Sequence, residues 1–387
     1  MRAVEEIVSD LQRRFSALDC PHVRVWKEGS SERRAIGCLP VFAPREVIWA
    51  SGALPVFVRG AGEKLETIRG DSYYQSYICH LPRSTLELGL GGWLSCLDGM
   101  VFPNTCDVIR NLSGIWRTLF PAQPVVFLDP PQGYGDAAIR WWRGELLRLY
   151  SNLCKLTGRG QSDEALRAAF VDYRRARAAT RVLGLARNEA PWKIPADEAV
   201  LVRRAGDAMP PLEYVALVDE YVGAAKLRTA RKEDRTRVVL AGAFCEQPPL
   251  GLLRAVERAG CYVVADDLVL VSEDLEADVA IDEDPLGAIA WAFVRQSVHA
   301  SVKYDEHGRA GDRLVEKVRA LGADGVVLAA PSFCDPALLE QPRLTQALDR
   351  ERIPYTVFKY AENTGQFQAI REQAGTFADS IRLWGEA

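Results

Sequence analysis

The sequence predicts an α/β protein with two Rossmann-like or flavodoxin-like parallel-sheet domains and a helical linking region. Short apolar runs alternate with amphipathic segments over residues 33–129 and again over 236–387. This alternation is typical of parallel strands connected by helices. Residues 133–230 differ, because they hold long helical patterns rich in Arg, Ala and Leu and no convincing strand. The expected domains are an N-terminal α/β domain at 1–132, a helical insertion or linker at 133–232 and a C-terminal α/β domain at 233–387.

The first half begins with an amphipathic surface helix, in which apolar residues recur at helical spacing. A proline can open a helix and a glycine can close one, so Pro44 and Gly52 mark the ends of the next helix. In order, we expect a helix at 2–18, a strand at 33–40, a helix at 44–53, a strand at 54–59, a helix that Pro82 begins, a strand at 99–103, a helix at 108–120 and a strand at 125–129.

The second α/β half repeats this alternation after the helical region. Its strands are short and continuously apolar, which fits strands covered on both faces of a sheet. In order, we expect a strand at 237–242, a helix at 249–260, a strand at 261–265, helices at 286–300 and 309–321, a strand at 325–330, a helix at 335–351, a strand at 355–358 and a terminal helix from 364.

Composition excludes several classes of function. With 387 residues the chain is long enough for two or three domains, and its 48% hydrophobic and 26% charged residues are typical of a globular protein. A net charge of −4 without a basic stripe argues against nucleic-acid or anionic-membrane partners. No signal-peptide pattern or membrane-length apolar run is present, so we expect a cytoplasmic protein. Nine dispersed cysteines indicate reduced thiols, some of which could hold a metal or a cluster.

A repeated phrase indicates where a functional site lies. Residues 98–107 and 324–335 each read as a buried strand that starts after Asp-Gly and ends in Pro-x-x-Cys-Asp. Each copy places a cysteine, Cys106 or Cys334, on a strand-to-helix turn, and the aspartate that follows can cap the helix. Ligands gather at the carboxyl ends of parallel strands, and helix N-termini favour anions. We therefore expect both turns to face one site.

Several motifs give the chain a resemblance to a known family. They are Pro-Arg-Glu-Val-Ile-Trp-Ala-Ser-Gly-Ala-Leu-Pro at 44–55, Cys-His-Leu-Pro-Arg-Ser at 79–84, Leu-Asp-Gly-Met-Val-Phe-Pro-Asn-Thr-Cys-Asp at 97–107, Ala-Asp-Asp at 265–267 and Phe-Cys-Asp-Pro at 333–336. Over nearly its whole length the sequence resembles the benzoyl-CoA reductase and 2-hydroxyglutaryl-CoA dehydratase family. The likeness is greatest to the smaller cluster-bearing subunits of the ATP-dependent reductases.

The resemblance implies a [4Fe-4S] cluster held by three cysteines, with one iron open to a substrate or small ligand. Carried across residue by residue, the ligands are Cys79, Cys106 and Cys334, and Cys38 is a possible further ligand or site-lining thiol. Thiolates suit iron, and their wide spacing here requires the fold to assemble the site. The remaining cysteines are expected to be structural: Cys20, Cys96, Cys154, Cys245 and Cys261.

Two further residues are candidates for proton chemistry. His80 follows a proposed ligand directly, so it could donate a proton to the substrate, hydrogen-bond the cluster or simply cap a helix. Glu46 lies in the first motif and could point to the site or to solvent. Asp266 and Asp267 follow a strand, as a ribose-binding acid does, but no G-x-G-x-x-G precedes them, so a dinucleotide site is not favoured.

By resemblance, the expected function is that of a subunit in an ATP-dependent, ferredoxin-driven aromatic acyl-CoA reductase of anaerobic aromatic degradation. Such an enzyme dearomatises benzoyl-CoA to a cyclic dienoyl-CoA by a ketyl-radical, Birch-like route. The implied partners are a larger homologous cluster-binding subunit and two ATPase activator subunits, in a heterotetramer. This chain has no P-loop, so it is not expected to hydrolyse ATP itself.

Two alternatives remain open. One is a subunit of a 2-hydroxyacyl-CoA dehydratase, and the other is a structural or electron-relay subunit whose cluster does not meet the substrate. The sequence departs from many relatives at 38–46, where a Cys-Ser-Tyr run is replaced, and at 365–371, where a dehydratase-like arginine pair is missing. Both departures favour the reductase.

Overall fold

The computed structural model describes residues 2–39, 41–242, 249–268, 275, 283–361 and 367–384. Within these residues the strands form two four-stranded sheets in which all neighbours are parallel. The strands are β1 (Arg34–Cys38), β2 (Ala53–Phe57), β3 (Gly99–Pro103), β4 (Val125–Leu128), β5 (Thr236–Ala241), β6 (Cys261–Asp266), β7 (Gly325–Pro331) and β8 (Tyr355–Tyr360). The predicted α/β fold class is confirmed.

Helices cover both sheets and fill the region between them in the sequence. The α-helices of the described residues are α1 (Val4–Phe15), α2 (Pro21–Glu28), α3 (Arg45–Ala50), α4 (Ile68–Asp71), α5 (His80–Leu90), α6 (Asp107–Leu119), α7 (Asp136–Thr157), α8 (Asp163–Glu189), α9 (Ala196–Gly206), α10 (Pro211–Lys226), α11 (Leu250–Arg258), α12 (Pro285–Gln296), α13 (Ala310–Ala320), α14 (Asp335–Arg350) and α15 (Phe367–Trp384). No helix among them is both long enough and apolar enough to cross a membrane.

The elements differ from the sequence predictions at three helices. The expected helix at 2–18 is shorter, Val4–Phe15, and a further helix that was not predicted, α2, begins after Cys20, whose φ is +49°. α5 begins at His80 rather than at Pro82, since a proline in the first turn removes only an N–H that the helix would leave unused. α12 ends at Gln296, because Ser297 is extended and bridges to Leu275. The terminal helix is described from Phe367, and its expected start at 364 lies outside the described residues.

The two sheets have the same topology, and this explains the repeated phrase in the sequence. Their strand orders are β2-β1-β3-β4 and β6-β5-β7-β8, so β3 and β7 occupy equivalent positions. The aspartate before each strand makes the same pair of hydrogen bonds. Asp98 accepts from the N–H of Ala35 and donates its own N–H to the Ala35 carbonyl, and Asp324 does the same with Arg237. Strands β3 and β7 therefore begin at equivalent positions in their two sheets.

The helical region between the sheets, α7 to α10, packs on both of them. Trp142 and Leu146 of α7 join an apolar cluster with β1 and β3, whereas Val200 of α9 joins a cluster with β5, β6 and β7. α1 packs against α9 and α10, a contact that its amphipathic pattern alone could not specify. The boundaries of the three expected domains remain a prediction, since these helices contact both sheets.

The approach of α4 to α5 fixes the segment that leads to Cys79, and a substitution at Gly70 tests it. A Cβ at Gly70 would lie 2.1 Å from the carbonyl oxygen of Arg83, which is backbone and cannot rotate away. We expect Gly70→Ala to lower the free energy of unfolding by about 1–3 kcal/mol. The matched control is Gly114→Ala in α6, where nothing lies within 4 Å of the added Cβ. It should leave stability equal or raise it, as urea denaturation would show. Equal effects of the two substitutions would contradict this account of α4 and α5.

Candidate functional site

The three predicted cysteines occupy the same local position, the residue that caps a helix N-terminus. Cys79 precedes α5, Cys106 precedes α6 and Cys334 precedes α14. The first N–H groups of a helix have no partner within the helix, and the helix dipole adds a partial positive charge there. A thiolate is stabilised by both effects. Each of the three positions is therefore suited to an anionic sulfur.

The fold brings these helix starts toward one another. Cys106 and Cys334 follow the equivalent strands β3 and β7, and the chain reaches Cys334 through Phe333, whose φ of +64° makes a tight turn. A charge on Cys334 acts on the thiol of Cys106, and charges on Cys79 and Cys106 act on Tyr74. The three cysteines and Tyr74 thus form a chain of neighbours, which we call the cysteine site.

The surroundings of the Cys106 thiol favour its neutral form unless a cation is bound to it. Burial raises the pKa of Cys106, and the neighbouring Cys334 raises it further. Hydrogen bonds from the N–H groups of Ile109 and Val108 to its sulfur act in the opposite direction but do not outweigh burial. A bound metal supplies the missing positive charge and deprotonates its thiol ligands.

Tyr74 belongs to the cysteine site, and the sequence had not singled it out. Its hydroxyl is buried and has no hydrogen-bond partner within the described part of the chain. Burial, together with the charges of Cys79 and Cys106, raises the pKa of this hydroxyl, so it stays protonated and can donate. A buried hydroxyl without an acceptor costs about 1–3 kcal/mol. Its position beside two thiols therefore indicates an acceptor that the described residues do not provide.

The arrangement of the three cysteines and Tyr74 limits the kind of metal group that the cysteine site could hold. Among the described residues, no three His, Cys, Asp or Glu side chains lie close enough together to share a single metal ion. A four-iron cluster is wider than one ion, and its thiolate ligands stand correspondingly farther apart. Three cysteines at helix N-termini and a hydroxyl donor match the needs of such an anionic cluster, in which bound sulfide accepts hydrogen bonds. The donor set fits an iron–sulfur cluster better than a zinc ion.

His80 and Glu46 have different surroundings. His80 is the first residue of α5 and is 5% exposed, so it lies beside Cys79 and away from water. Glu46 of α3 points inward rather than to solvent, and its Oε1 lies 2.5 Å from Nη1 of Arg177. Burial by itself would raise the pKa of Glu46, but the charges of Arg177 and Arg45 outweigh it and hold that pKa below its usual value. Glu46 is thus an ionised carboxylate, which is not a ready proton donor.

Glu46 also lines a small apolar cavity. The other walls include the rings of Phe42, Trp142, Phe170 and Phe293. At about 60 Å³, the cavity is smaller than the roughly 150 Å³ of an engineered cavity that holds benzene. It does not admit an aromatic ring in this conformation. The Glu46–Arg177 ion pair is buried beside this cavity, and a catalytic role of Glu46 stays a prediction.

Cys38 and four of the five cysteines expected to be structural are among the described residues. Cys38 is fully buried at the end of β1, where its thiol donates to the Ile36 carbonyl and burial raises its pKa. It packs in a different apolar cluster from Cys334, and its role as a further ligand stays a prediction. The Cys20 thiol donates to the Leu18 carbonyl oxygen, and the neighbouring Cys96 raises the pKa of Cys20. Cys154 and Cys261 are buried, and Cys245 lies outside the described residues.

Asp266 has a structural role that local sequence did not indicate. Its carboxylate is fully buried at the end of β6, between Arg187 of α8 and Arg203 of α9, each 2.5 Å away. Burial by itself would raise the pKa of Asp266, but the two guanidinium charges outweigh it and lower that pKa. Asp267 accepts from the N–H of Gly242. Both carboxylates thus accept hydrogen bonds from groups of the protein itself.

Fold and site together define a class of protein: an α/β chain of two equivalent parallel sheets, with Cys79, Cys106 and Cys334 at the N-termini of α5, α6 and α14. Residues 40–381 match the 2-hydroxyglutaryl-CoA dehydratase, D-component family. The match covers most of the chain, and the protein belongs to this family. The resemblance inferred from the sequence motifs is confirmed.

Individual relatives agree with this family assignment. The chain is 45% identical to a subunit of the benzoyl-CoA reductase of Thauera aromatica, over 98% of this chain and 99% of that protein. It is 29% identical to the beta subunit of (R)-2-hydroxyglutaryl-CoA dehydratase of Acidaminococcus fermentans, over 98% and 100%. The beta subunit of lactoyl-CoA dehydratase of Anaerotignum propionicum is 26% identical over 90% and 91%. The chain is thus an enzyme subunit of this family.

Proposed function

We propose that this chain is the smaller cluster-bearing subunit of an ATP-dependent aromatic acyl-CoA reductase of the benzoyl-CoA type. The observation that carries the reductase assignment is the 45% identity to a benzoyl-CoA reductase subunit along the whole chain, against 29% to a dehydratase subunit. The proposed enzyme works in the cytoplasm under anaerobic conditions. Its partners are a larger homologous cluster-binding subunit, two ATPase activator subunits and reduced ferredoxin.

The cysteine site is the proposed place of a [4Fe-4S] cluster, with Cys79, Cys106 and Cys334 as ligands. When bound, the cluster supplies one-electron transfer at low potential. The residues of this chain hold the cluster and supply the hydrogen bonds and protons around it. The N-termini of α5, α6 and α14 stabilise the thiolates, and the Tyr74 hydroxyl donates a hydrogen bond. His80, buried beside Cys79, is the proposed proton donor toward the substrate.

The two rival functions give different results in one experiment. The chain is purified anaerobically with its partner subunits and assayed with benzoyl-CoA and with a 2-hydroxyacyl-CoA. Reduction of benzoyl-CoA that requires ATP and ferredoxin is the expected result. Dehydration of the 2-hydroxyacyl-CoA without net reduction would replace this proposal by the dehydratase function. If a variant without the cysteine site keeps its acyl-CoA turnover, the chain is a structural subunit.

Tyr74 provides a sharper test of the cysteine site. We expect Tyr74→Phe to retain the iron content, since no proposed ligand is removed, but to shift the midpoint potential and the EPR spectrum of the cluster. Loss of a hydrogen bond to a metal centre typically lowers activity about 10- to 100-fold. The matched control is Tyr73→Phe, because Tyr73 is the neighbouring residue and is 41% exposed. Identical spectra for the two variants would remove Tyr74 from the site.

A further inference from the structure

A second and larger cavity lies at the carboxyl end of β2. Its volume is about 450 Å³, within the roughly 300–1,000 Å³ typical of ligand pockets. The loop after β2, the segment after α1 and the start of α11 form its walls, and none of Cys79, Cys106 and Cys334 lines it. Ligands of open α/β sheets collect at the carboxyl ends of strands. The cavity therefore has the size and place of a binding site.

The charged side chains that line this cavity are of one sign. They are Arg59, Lys64, Arg204 and Arg254, and the described lining residues include no Asp or Glu. We call it the basic cavity. Arg59 forms an ion pair with Asp207, and Arg254 forms one with Asp197. Each guanidinium group is therefore held in position by a carboxylate that does not itself line the cavity. Arg59 and Arg204 lie close enough for their charges to repel each other. An anion bound in the cavity would lower that repulsion.

The backbone of the basic cavity also favours an anion. Gly60 and Gly62 have φ of +73° and +58°, and Ala61 between them is right-handed. Alternation of left- and right-handed residues makes successive N–H groups converge in an anion-binding nest. On the opposite wall, Leu250 and Gly251 belong to the first turn of α11, and phosphates commonly bind at helix N-termini.

His22 adds a hydrogen-bond acceptor to the cavity, and a phosphate group alone would not require one. Its Nδ1 lies 2.8 Å from the Arg14 carbonyl oxygen, and because a carbonyl only accepts, Nδ1 carries the proton. Its Nε2 is then an acceptor, and it is buried without a hydrogen-bond partner among the described residues. Burial lowers the pKa of His22 to about 4, so the ring stays neutral. Since His22 lines the cavity, a ligand with an O–H or N–H donor beside its phosphates would satisfy it.

We propose that the basic cavity binds a nucleoside diphosphate moiety, with its phosphates held by Arg204, Arg254 and Lys64 and its hydroxyl or amino group donating to His22. The moiety belongs either to a free nucleotide or to the nucleotide end of coenzyme A. Binding here does not require a cluster at the cysteine site, and only the assignment to coenzyme A rests on the proposed function.

Calorimetric titration of the full chain tests this proposal, with and without reconstituted iron. The probes are ADP, free coenzyme A, adenosine and inorganic pyrophosphate. We expect ADP or coenzyme A to bind in both iron states, and Arg254→Gln and Lys64→Gln each to weaken binding about tenfold by removing a charge-assisted hydrogen bond. Arg254 and Lys64 are at least partly exposed, so both variants should fold. The matched control is Arg258→Gln, which removes an exposed cation from the same helix outside the cavity and should change nothing.

The pattern of probes identifies the source of the ligand. Binding of coenzyme A alone assigns the cavity to the thioester substrate, whereas binding of ADP but not coenzyme A assigns it to a free nucleotide. Pyrophosphate that binds as tightly as ADP would overturn the nucleoside part of the proposal. If neither nucleotide binds below about 1 mM, or if Arg254→Gln and Arg258→Gln behave alike, the proposal is wrong.

Discussion

Cys106→Ala is expected to abolish the acyl-CoA reductase activity of the assembled enzyme and to lower its iron content by one cluster. The substitution removes a thiolate at the N-terminus of α6, and Cys79 and Cys334 alone cannot hold a four-iron cluster. Substitution of groups that only support a metal ligand costs about 10- to 100-fold, so loss of a ligand itself should cost at least about 100-fold. Iron and acid-labile sulfide analysis of the anaerobically purified complex, together with its turnover, measures both effects.

The matched control is Cys154→Ala. Cys154 is a buried cysteine of α7 that packs in a different apolar cluster from Cys334. This variant should lose some stability through the smaller side chain and keep its iron and turnover. If Cys106→Ala kept full iron content, or if both variants lost iron equally, Cys106 would not be a ligand.

Asp266→Asn is expected to have the largest effect on stability, about 3–5 kcal/mol. It leaves the guanidinium groups of Arg187 and Arg203 buried without their counter-charge, and it loosens the contact of α8 and α9 with β6. Urea denaturation measures the loss. As a control, Asp379→Asn breaks the exposed ion pair with Arg382 and should change stability little.

The same carboxylate predicts a pH dependence. The two arginines lower the pKa of Asp266 in the folded protein below its value of about 3.9 in the unfolded chain. Its contribution to stability is therefore complete above about pH 4 and is lost as the pH falls toward the folded-state pKa. In Asp266→Asn this part of the acid sensitivity should disappear. If the stability of wild type and variant fell in parallel below pH 4, the ion triad would not be the cause.

Local patterns were sufficient to predict most of the fold. The strand at 99–103 agrees with the structure at both ends, because a continuous apolar run between turn residues defines a buried parallel strand. The phrase Pro-x-x-Cys-Asp placed Cys106 and Cys334 at strand-to-helix turns, and both are helix caps. Its two copies also anticipated the equivalence of β3 and β7.

Contacts between distant segments were not predictable in this way. Asp266 meets an arginine 79 positions away, and nothing near it in the sequence indicates this partner. The Tyr74 hydroxyl is notable only because the fold places it beside two thiols, whereas the sequence shows one tyrosine among several before Cys79. The basic cavity combines residues from five separate segments, and the mild net charge of −4 conceals the local concentration of its cations.

The central claim is that Cys79, Cys106 and Cys334 hold a [4Fe-4S] cluster. Mössbauer spectroscopy of the full chain, reconstituted anaerobically with ⁵⁷Fe and sulfide, tests it most directly. We predict about four irons per chain, with one iron distinct from the other three because no cysteine of the site binds it. A chain that binds no iron–sulfur cluster, or one whose cluster persists when all three cysteines are replaced by alanine, would contradict the claim.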